Sequence, residues 1–505
     1  MNVTAALLER SRDRWSRPAL TTEGGARLTY GELFDAVSRA AGRLAAAGVR
    51  RDSKVVVFAE NCAAYAVVYL ACARLGAALA TAHPGFRRGE LAGIVADCDP
   101  AVIVVDRPLR PIVEEVVARR ATRATLVEID SRDEAVDGWG AEAVTGDLDL
   151  PGTHPVLIAY TSGSTDRPKA VVHGHAGQIF VASAHEWVWH LGPDDRLLLS
   201  LSMSWLYGLV TSCLATLFAG GEVLMLRHFN PVRALALVEE RGATVMTGVT
   251  TMYVKLVEVA GRRPVASRLR MCVAGGEPRN DAAFARFADR FGVPVLDCYA
   301  SSECLPVVAH DTAQLAGIHG GAIGRVVPGV QARIVDPDGR DVPAGEVGEL
   351  IVRSPGQMLG YLDNPELTAS VLRDGWYHTR DLCAMDGDGC LSILGRATDM
   401  IIRGGANVSP VEVERVLAEH RLVEECAVVG IPDDTYGQTP HAFVVLAAGA
   451  DADGGVLREY CRTHLAEYKV PSGFTFVAEL PHGPNGKVAR TRLRTHAPVT
   501  GGERP

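Results

Sequence analysis

Eleven cysteines are scattered through 505 residues, and no two of them form a C-x-x-C pair. The spacing indicates neither a cysteine zinc site nor a disulfide framework, so the thiols read as small buried apolar groups. Membrane-spanning signals are also missing. The apolar run from Cys62 to Ala73 ends at Arg74 and is too short to cross a bilayer. The opening MNVTAALLERSRDRW is interrupted by Glu9, Arg10 and Arg12 before an export-signal core can form, which makes the cytoplasm the expected compartment. Basic clusters go no further than Arg50–Arg51, Arg87–Arg88 and Arg119–Arg120, and the net charge is −9. A general nucleic-acid binder needs a basic footprint, so neither nucleic acid nor membrane is expected as a partner. Internal repeats and long low-complexity linkers are absent.

What remains is an alternation of helical and strand-like segments. LTYGELFDAVSRAAGRLAAAG has helical apolar spacing, with Thr29 as its N-cap and Gly48 as its stop. SKVVVFAEN reads as a buried strand, and AAYAVVYLACARLGAA as a mostly buried helix. AVIVVD, ATLVEID, RLLLSLSM, GEVLMLR, ATVMTGV, LRMCVAGG and VPVLDCYA continue the strand series. Parallel, doubly wound sheets follow from that order. After about residue 320 the runs become short and alternating, with Gly and Asp turns, as in hairpins or a small barrel. From about 400 a compact α/β pattern returns, which predicts a separate C-terminal domain of ordinary size.

Several stretches carry chemistry. YTSGSTDRPKA (160–170) follows a strand and offers backbone N–H groups, hydroxyls, Gly163 and Lys169, the makings of an anion nest. G-x-x-x-x-G-K-[ST] does not occur, so P-loop mechanics are not supported. YASSE (299–303) supplies a ring, two hydroxyls and one carboxylate suited to a divalent cation. HTRDL (378–382) presents Asp381, whose carboxylate can accept both hydroxyls of a ribose. GRATDMIIRGGANVSPVEVE (395–414) contains a Gly404–Gly405 pair, and GPNGKVAR (483–490) holds Lys487 on a glycine-rich turn. Two metal readings fail. HEWVWH (185–190) is one residue too long for H-E-x-x-H, and HGH (173–175) lacks a third ligand nearby, which leaves His173 or His175 a positional role.

In this order and spacing the stretches resemble the adenylate-forming superfamily of acyl-CoA synthetases, luciferases and adenylation domains. The resemblance spans LTYGEL at 28 to GPNGKV at 488. It implies an α/β fold: a large N-terminal body of doubly wound mixed sheets with a small β-barrel-like subdomain, and a small, mobile α+β C-terminal domain. The expected division is 1–398 and 399–505. It implies ATP, Mg²⁺ and coenzyme A as cofactors, and an acid:CoA ligase that forms acyl-AMP and then a thioester. Thr161, Ser162, Gly163, Ser164, Thr165 and Lys169 would form the loop over the phosphates, and Gly275, Gly276 and Tyr299 would flank adenine. Ser302 would touch the α-phosphate, Glu303 would hold Mg²⁺, and Asp381 and Arg396 would bind the ribose region. Lys487 would bridge carboxylate and α-phosphate, with Thr161, Ser302 and Glu303 completing the catalytic set. Asp399 would be the hinge, and Arg403, Gly404 and Gly405 would line a pantetheine tunnel.

The acyl pocket is read from Trp205, Leu206, Tyr207, Gly208, Gly276, Ala300, Leu305 and Pro306. LYGL resembles benzoate-type aryl-CoA ligases, so an aryl or unsaturated carboxylic acid is favoured; taken singly, Trp205 and Tyr207 read equally well as core aromatics. The thiol partner is CoA or the phosphopantetheine of a carrier protein, a non-thiol acceptor is a further alternative, and the assembly is a monomer or homodimer. Asp166, Ala170 and Arg380 stand where the family has glycines, and Thr398 replaces a common lysine.

Overall fold

The computed structural model describes the chain apart from residues 121, 133–141, 162–167, 278–279, 314–321, 397–398, 405, 434, 483–487 and 497–505, and apart from the side chains of 120, 407, 491, 495 and 496. Two large sheets make up the N-terminal domain and a third makes up the C-terminal domain. In the seven-stranded sheet, Thr125–Ile129, Val102–Asp106, Lys54–Phe58, Ala78–Ala82 and Pro155–Thr161 run parallel. Lys169–Gly174 and then Gly360–Tyr361 extend its edge antiparallel. In the fourteen-stranded sheet, Pro18–Thr22, Glu222–Met225, Arg196–Leu199, Val245–Gly248, Met271–Gly275 and Val295–Ser301 form the parallel part. From Cys304–Ala309 onward the ladder turns antiparallel, and the short alternating runs after 320 are its strands.

Local sequence explains the elements. Helix Tyr30–Ala46 starts at Thr29, whose hydroxyl accepts from the Glu32 N–H while the Glu32 carboxylate accepts from the Thr29 N–H. This reciprocal box satisfies two orphan donors of the first turn. Helix Ala63–Leu75 is apolar on nearly every side, and it is buried on nearly every side. Both helices pack in the largest apolar layer, against Val55, Val57 and Leu79 of one large sheet and Leu197, Leu199 and Val223 of the other. Each such side chain removed from water contributes roughly 1.5–3 kcal/mol, so this layer fixes how the two sheets meet. The uncharged stretch between Arg196 and Glu222 is divided into a strand, the π-helix Tyr207–Leu214 and the short helix Ala215–Phe218. Among the described residues no helix is long and apolar enough to cross a membrane.

The C-terminal domain is a five-stranded sheet around the hairpin Val423–Asp433 and Gly437–Leu446, covered by helices Pro410–Ala418 and Gly454–His464. Ser409 caps the first of these helices by accepting from the Glu412 N–H. It also donates its hydroxyl to the Leu394 carbonyl, a bond that ties the domain to the last long strand of the N-terminal part.

Candidate active site

Two chain reversals, one on each large sheet, meet at the site. Strand Val295–Ser301 turns at Ser302–Glu303 into Cys304–Ala309, and the Ser301 hydroxyl holds the turn by accepting from the Cys304 N–H. His173, on strand Lys169–Gly174 of the other sheet, donates from Nε2 to the Ser302 carbonyl at 2.8 Å. Complete burial pushes the His173 pKa down to about 4, so the ring is neutral and carries its proton on the donating nitrogen. The positional role considered for the HGH stretch therefore falls to His173. Its ring locks the Ser302–Glu303 turn to the neighbouring sheet.

The same edge delivers Tyr361. Its two-residue strand pairs with Val171 and Val172, and its hydroxyl donates to Glu303 Oε1 at 2.7 Å. Lys169 Nζ stands 5.6 Å from the centre of that ring. Lys169 is also the ladder partner of Thr161, so the ends of the YTSGSTDRPKA loop are opposite one another. Ser162, Gly163, Ser164, Thr165 and Asp166 lie outside the described residues. Among the described residues no three His, Cys, Asp or Glu side chains gather as a metal cage. One carboxylate at Glu303 suits Mg²⁺, which keeps several waters and takes its remaining oxygens from substrate phosphates.

A second cluster adjoins the first along strand Val295–Ser301. The Tyr299 hydroxyl donates to Asp381 Oδ2, and Arg396 Nε lies 3.1 Å from Asp381 Oδ1. Asp381 and Arg396 are direct cross-strand neighbours, and Asp381 is buried. Burial opposes the charge on Arg396, but Asp381 together with Tyr299, Tyr377 and Glu303 outweighs it and raises the guanidinium pKa above its ordinary value. Burial also raises the Tyr299 pKa, and the Asp381 charge adds to it, so the phenol keeps its proton and donates. The ring, carboxylate and guanidinium expected around adenine and ribose thus form one connected group.

Gly275 ends strand Met271–Gly275, and Gly276 follows with φ +85°. A Cβ on Gly275 would stand 2.7 Å from Cys298 Sγ and 3.4 Å from the Tyr207 ring, so only glycine fits there. Tyr207 donates to the Val273 carbonyl at 3.0 Å. Trp205 stacks on His83 with ring centres 5.4 Å apart and planes 12° apart. Burial lowers the His83 pKa to about 4 and leaves a neutral ring on that stack. Leu206 and Leu305 are buried, Ala300 is exposed, and Pro306 follows a cis bond. A Cβ on Gly208 would overlap the Ser202 carbonyl oxygen, so its bare backbone answers to packing within its own loop.

The C-terminal residues divide. Arg403 stacks on Tyr436 at 5.0 Å and donates to the Tyr468 carbonyl, and the Gly404 N–H donates to the Tyr436 carbonyl. Asp399 pairs with Arg494 at 3.0 Å. Gly405 and Lys487 lie outside the described residues, as do Ala397 and Thr398. The flanks of Lys487 are described: His482 bridges to Val488, and Arg490 binds Glu414 through both carboxylate oxygens. His482 also pairs with Glu425 at 2.8 Å. Burial raises the pKa of Glu277, directly after Gly276, hydrogen bonds from Thr251 oppose this, and the charges of Glu425 and His482 reach it.

Tyr361, and Glu349, which accepts from the Arg380 N–H, escaped the sequence reading. Nothing local marks them, because their positions depend on ladders between segments far apart in the chain.

The family model described as "AMP-binding enzyme" matches residues 8–362, and that of its C-terminal domain matches 412–487. A feruloyl-CoA synthase of Amycolatopsis sp is 36% identical over 93% of this chain and 94% of its own length. An indoleacetate–CoA ligase of Aromatoleum aromaticum is 32% identical over 92% of each chain. The crystal structure of ATP-bound MatB from Rhodopseudomonas palustris superposes with a TM-score of 0.90 at 29% identity, over 98% of this chain and 99% of that one.

Proposed function

The chain belongs to the AMP-binding enzyme family, and on that premise we propose that it is an ATP-dependent acid:CoA ligase. A carboxylate oxygen attacks the α-phosphorus of ATP, the bond to the β-phosphate oxygen breaks, and acyl-AMP and pyrophosphate result. The CoA thiol, losing its proton, then attacks the acyl carbon and expels AMP. Both reactants of the first step are anions, so catalysis is mainly positioning and charge neutralisation. The observation that carries this reading is the junction of two groups, Tyr299–Asp381–Arg396 and Glu303–Tyr361–Lys169, along one strand and its turn.

In this reading Asp381 and Arg396 hold the ribose side, and Tyr299 and Gly275–Gly276 border the base. Thr161 to Thr165 and Lys169 enclose the β- and γ-phosphates, and Ser302 meets the α-phosphate. Mg²⁺, when bound, draws charge from the phosphate oxygens, and Glu303 is the residue that holds it. The neutral His173 contributes geometry alone. Its bond to the Ser302 carbonyl sets the height of the turn that carries both Ser302 and Glu303.

Trp205 and Tyr207 border the acyl pocket, and the two relatives named for feruloyl and indoleacetyl thioesters support a flat, aryl or unsaturated acid. The N-terminal domain, 1–398, carries these sites. Residues 399–505 turn about Asp399, so that Lys487 serves adenylation and Arg403, Gly404 and Gly405 serve the thiol. The thiol is that of CoA, with a carrier-protein phosphopantetheine as the alternative delivering the same arm.

Pyrophosphate release across aryl, alkenoic and alkyl acids, with and without CoA, tests the proposal, with products identified by mass spectrometry. Aryl acids should release pyrophosphate and give acyl-CoA. Folded protein with Mg²⁺ that releases none with any acid would refute the ligase reading. Acyl-AMP that accumulates despite CoA would move the acceptor to a carrier protein or a non-thiol group.

A further inference from the structure

Arg380 occupies a backbone position built at some cost. Strand Trp376–Met385 pairs Leu382 with Glu349 and His378 with Ile351, so three residues, Thr379, Arg380 and Asp381, oppose the single Leu350. Such a bulge bends the strand and re-aims a side chain, and bulges of this kind gather beside active sites. Side chains satisfy the backbone groups freed by it. The Arg380 N–H donates to Glu349 Oε1 at 3.0 Å, and the Asp381 N–H donates to Thr379 Oγ1 at 3.0 Å. The Thr379 hydroxyl in turn donates to the Leu350 carbonyl at 2.7 Å. Arg380 itself has φ +61°, in the left-handed region that favours glycine.

A strained residue that is not glycine, held beside a functional site, asks for a reason in its side chain. Burial and the Glu303 charge raise the pKa of Tyr361, and the guanidinium charges of Arg380 and Arg396 act against them. Tyr361 is the residue that binds Glu303 and lies under Lys169. The Arg380 side chain is exposed and has no ion-pair partner among the described residues. Its immediate neighbour, Asp381, is already paired with Arg396. Arg380 thus adds a guanidinium, unpaired among the described residues, on the bulge that also carries Asp381 of the ribose group, where a nucleotide polyphosphate is the natural anion.

We propose that Arg380 is an additional binding residue for the β- and γ-phosphates of ATP, set in place by the Thr379–Asp381 bulge. The inference rests on the ligase reading, which supplies the nucleotide. It assigns a purpose to an arginine where the resemblance leads one to expect glycine. A guanidinium offers paired donors that match phosphate oxygens, which a glycine cannot.

Equilibrium binding of MgATP and of AMP, measured separately on the wild type, Arg380→Ala and Arg380→Gly, tests it. Both variants should weaken MgATP binding by about tenfold, the effect of one charge-assisted hydrogen bond, and leave AMP binding within about twofold. Arg380→Gly relieves the strained φ, so it should melt at a higher temperature than Arg380→Ala while binding ATP equally poorly. That combination separates a binding role from a structural one. Unchanged MgATP binding, or equal losses for MgATP and AMP, would overturn the Arg380 assignment alone. A wild type that bound neither nucleotide would overturn the ligase reading together with it.

Discussion

Tyr361 shows how one hydroxyl can set the behaviour of a charged neighbour. The carboxylate of Glu303 has rotational freedom that a metal ligand must give up, and the bond from Tyr361 at 2.7 Å removes part of it beforehand. The phenol keeps its proton, because burial raises its pKa and the Glu303 charge raises it further. Tyr361→Phe keeps the ring beneath Lys169 and deletes only the donor. A hydrogen bond to a charged acceptor is worth about 1.5–3 kcal/mol, so kcat/KM for ATP should fall about tenfold or more. The Mg²⁺ concentration for half-maximal activity should rise, with little change in melting temperature. An unchanged Mg²⁺ titration would mean that Tyr361 does not orient the ligand.

Helix Pro410–Ala418 and the terminal helix Arg490–His496 are joined by one buried ion pair. Glu414 accepts from the Val428 N–H at 2.7 Å and from Arg490 on both oxygens, which offset part of the burial that raises its pKa. Removing one member leaves the other uncompensated, which costs about 3 kcal/mol for a buried pair. Glu414→Ala should therefore destabilise the C-terminal domain by about that amount. Arg490 is three residues past Lys487, so adenylation should fall with it while AMP binding in the N-terminal domain persists. Denaturation followed alongside AMP binding reads both, and joint loss of the two would argue against independent domains. Elements of this kind were partly legible in the sequence. Thr29 caps its helix as expected, and Ser409 with Glu412 carries the same kind of local signal at a helix start. The order of motifs brought Tyr299, Asp381 and Arg396 together correctly, although each is contributed by a different strand. Tyr361 and Glu349 were not legible, since neither has a local pattern and each is placed by pairing with a distant strand. The bulge at Arg380 was visible only as an odd residue; its φ depends on the register of the partner strand.

At the scale of the whole molecule, two chemistries have to share one acyl pocket. Adenylation needs a cation against the carboxylate and α-phosphate, whereas thiol attack needs that cation gone and a narrow path open. One fixed arrangement serves these demands poorly, and a C-terminal domain joined through Asp399 can serve them in turn. Among the described residues the joint carries polar contacts: Ser409 donates to the Leu394 carbonyl, and Arg494 pairs with Asp399 beside it. Polar contacts of this sort can be exchanged for water at small cost, which suits an interface that must open. The two half-reactions can therefore be disabled separately. Lys487→Ala should slow acyl-AMP formation by roughly 10²-fold or more, the scale for one preorganised charge-stabilising group. It should leave thioester formation from supplied acyl-adenylate within a few-fold of the wild type. Gly405→Leu should do the reverse, because a branched side chain would fill the thiol's path while pyrophosphate release continues. Single-turnover assays of each half-reaction provide the measurement. Equal losses in both steps for Lys487→Ala, or an unchanged thioester rate for Gly405→Leu, would show that one arrangement performs both reactions and that the hinge is not needed.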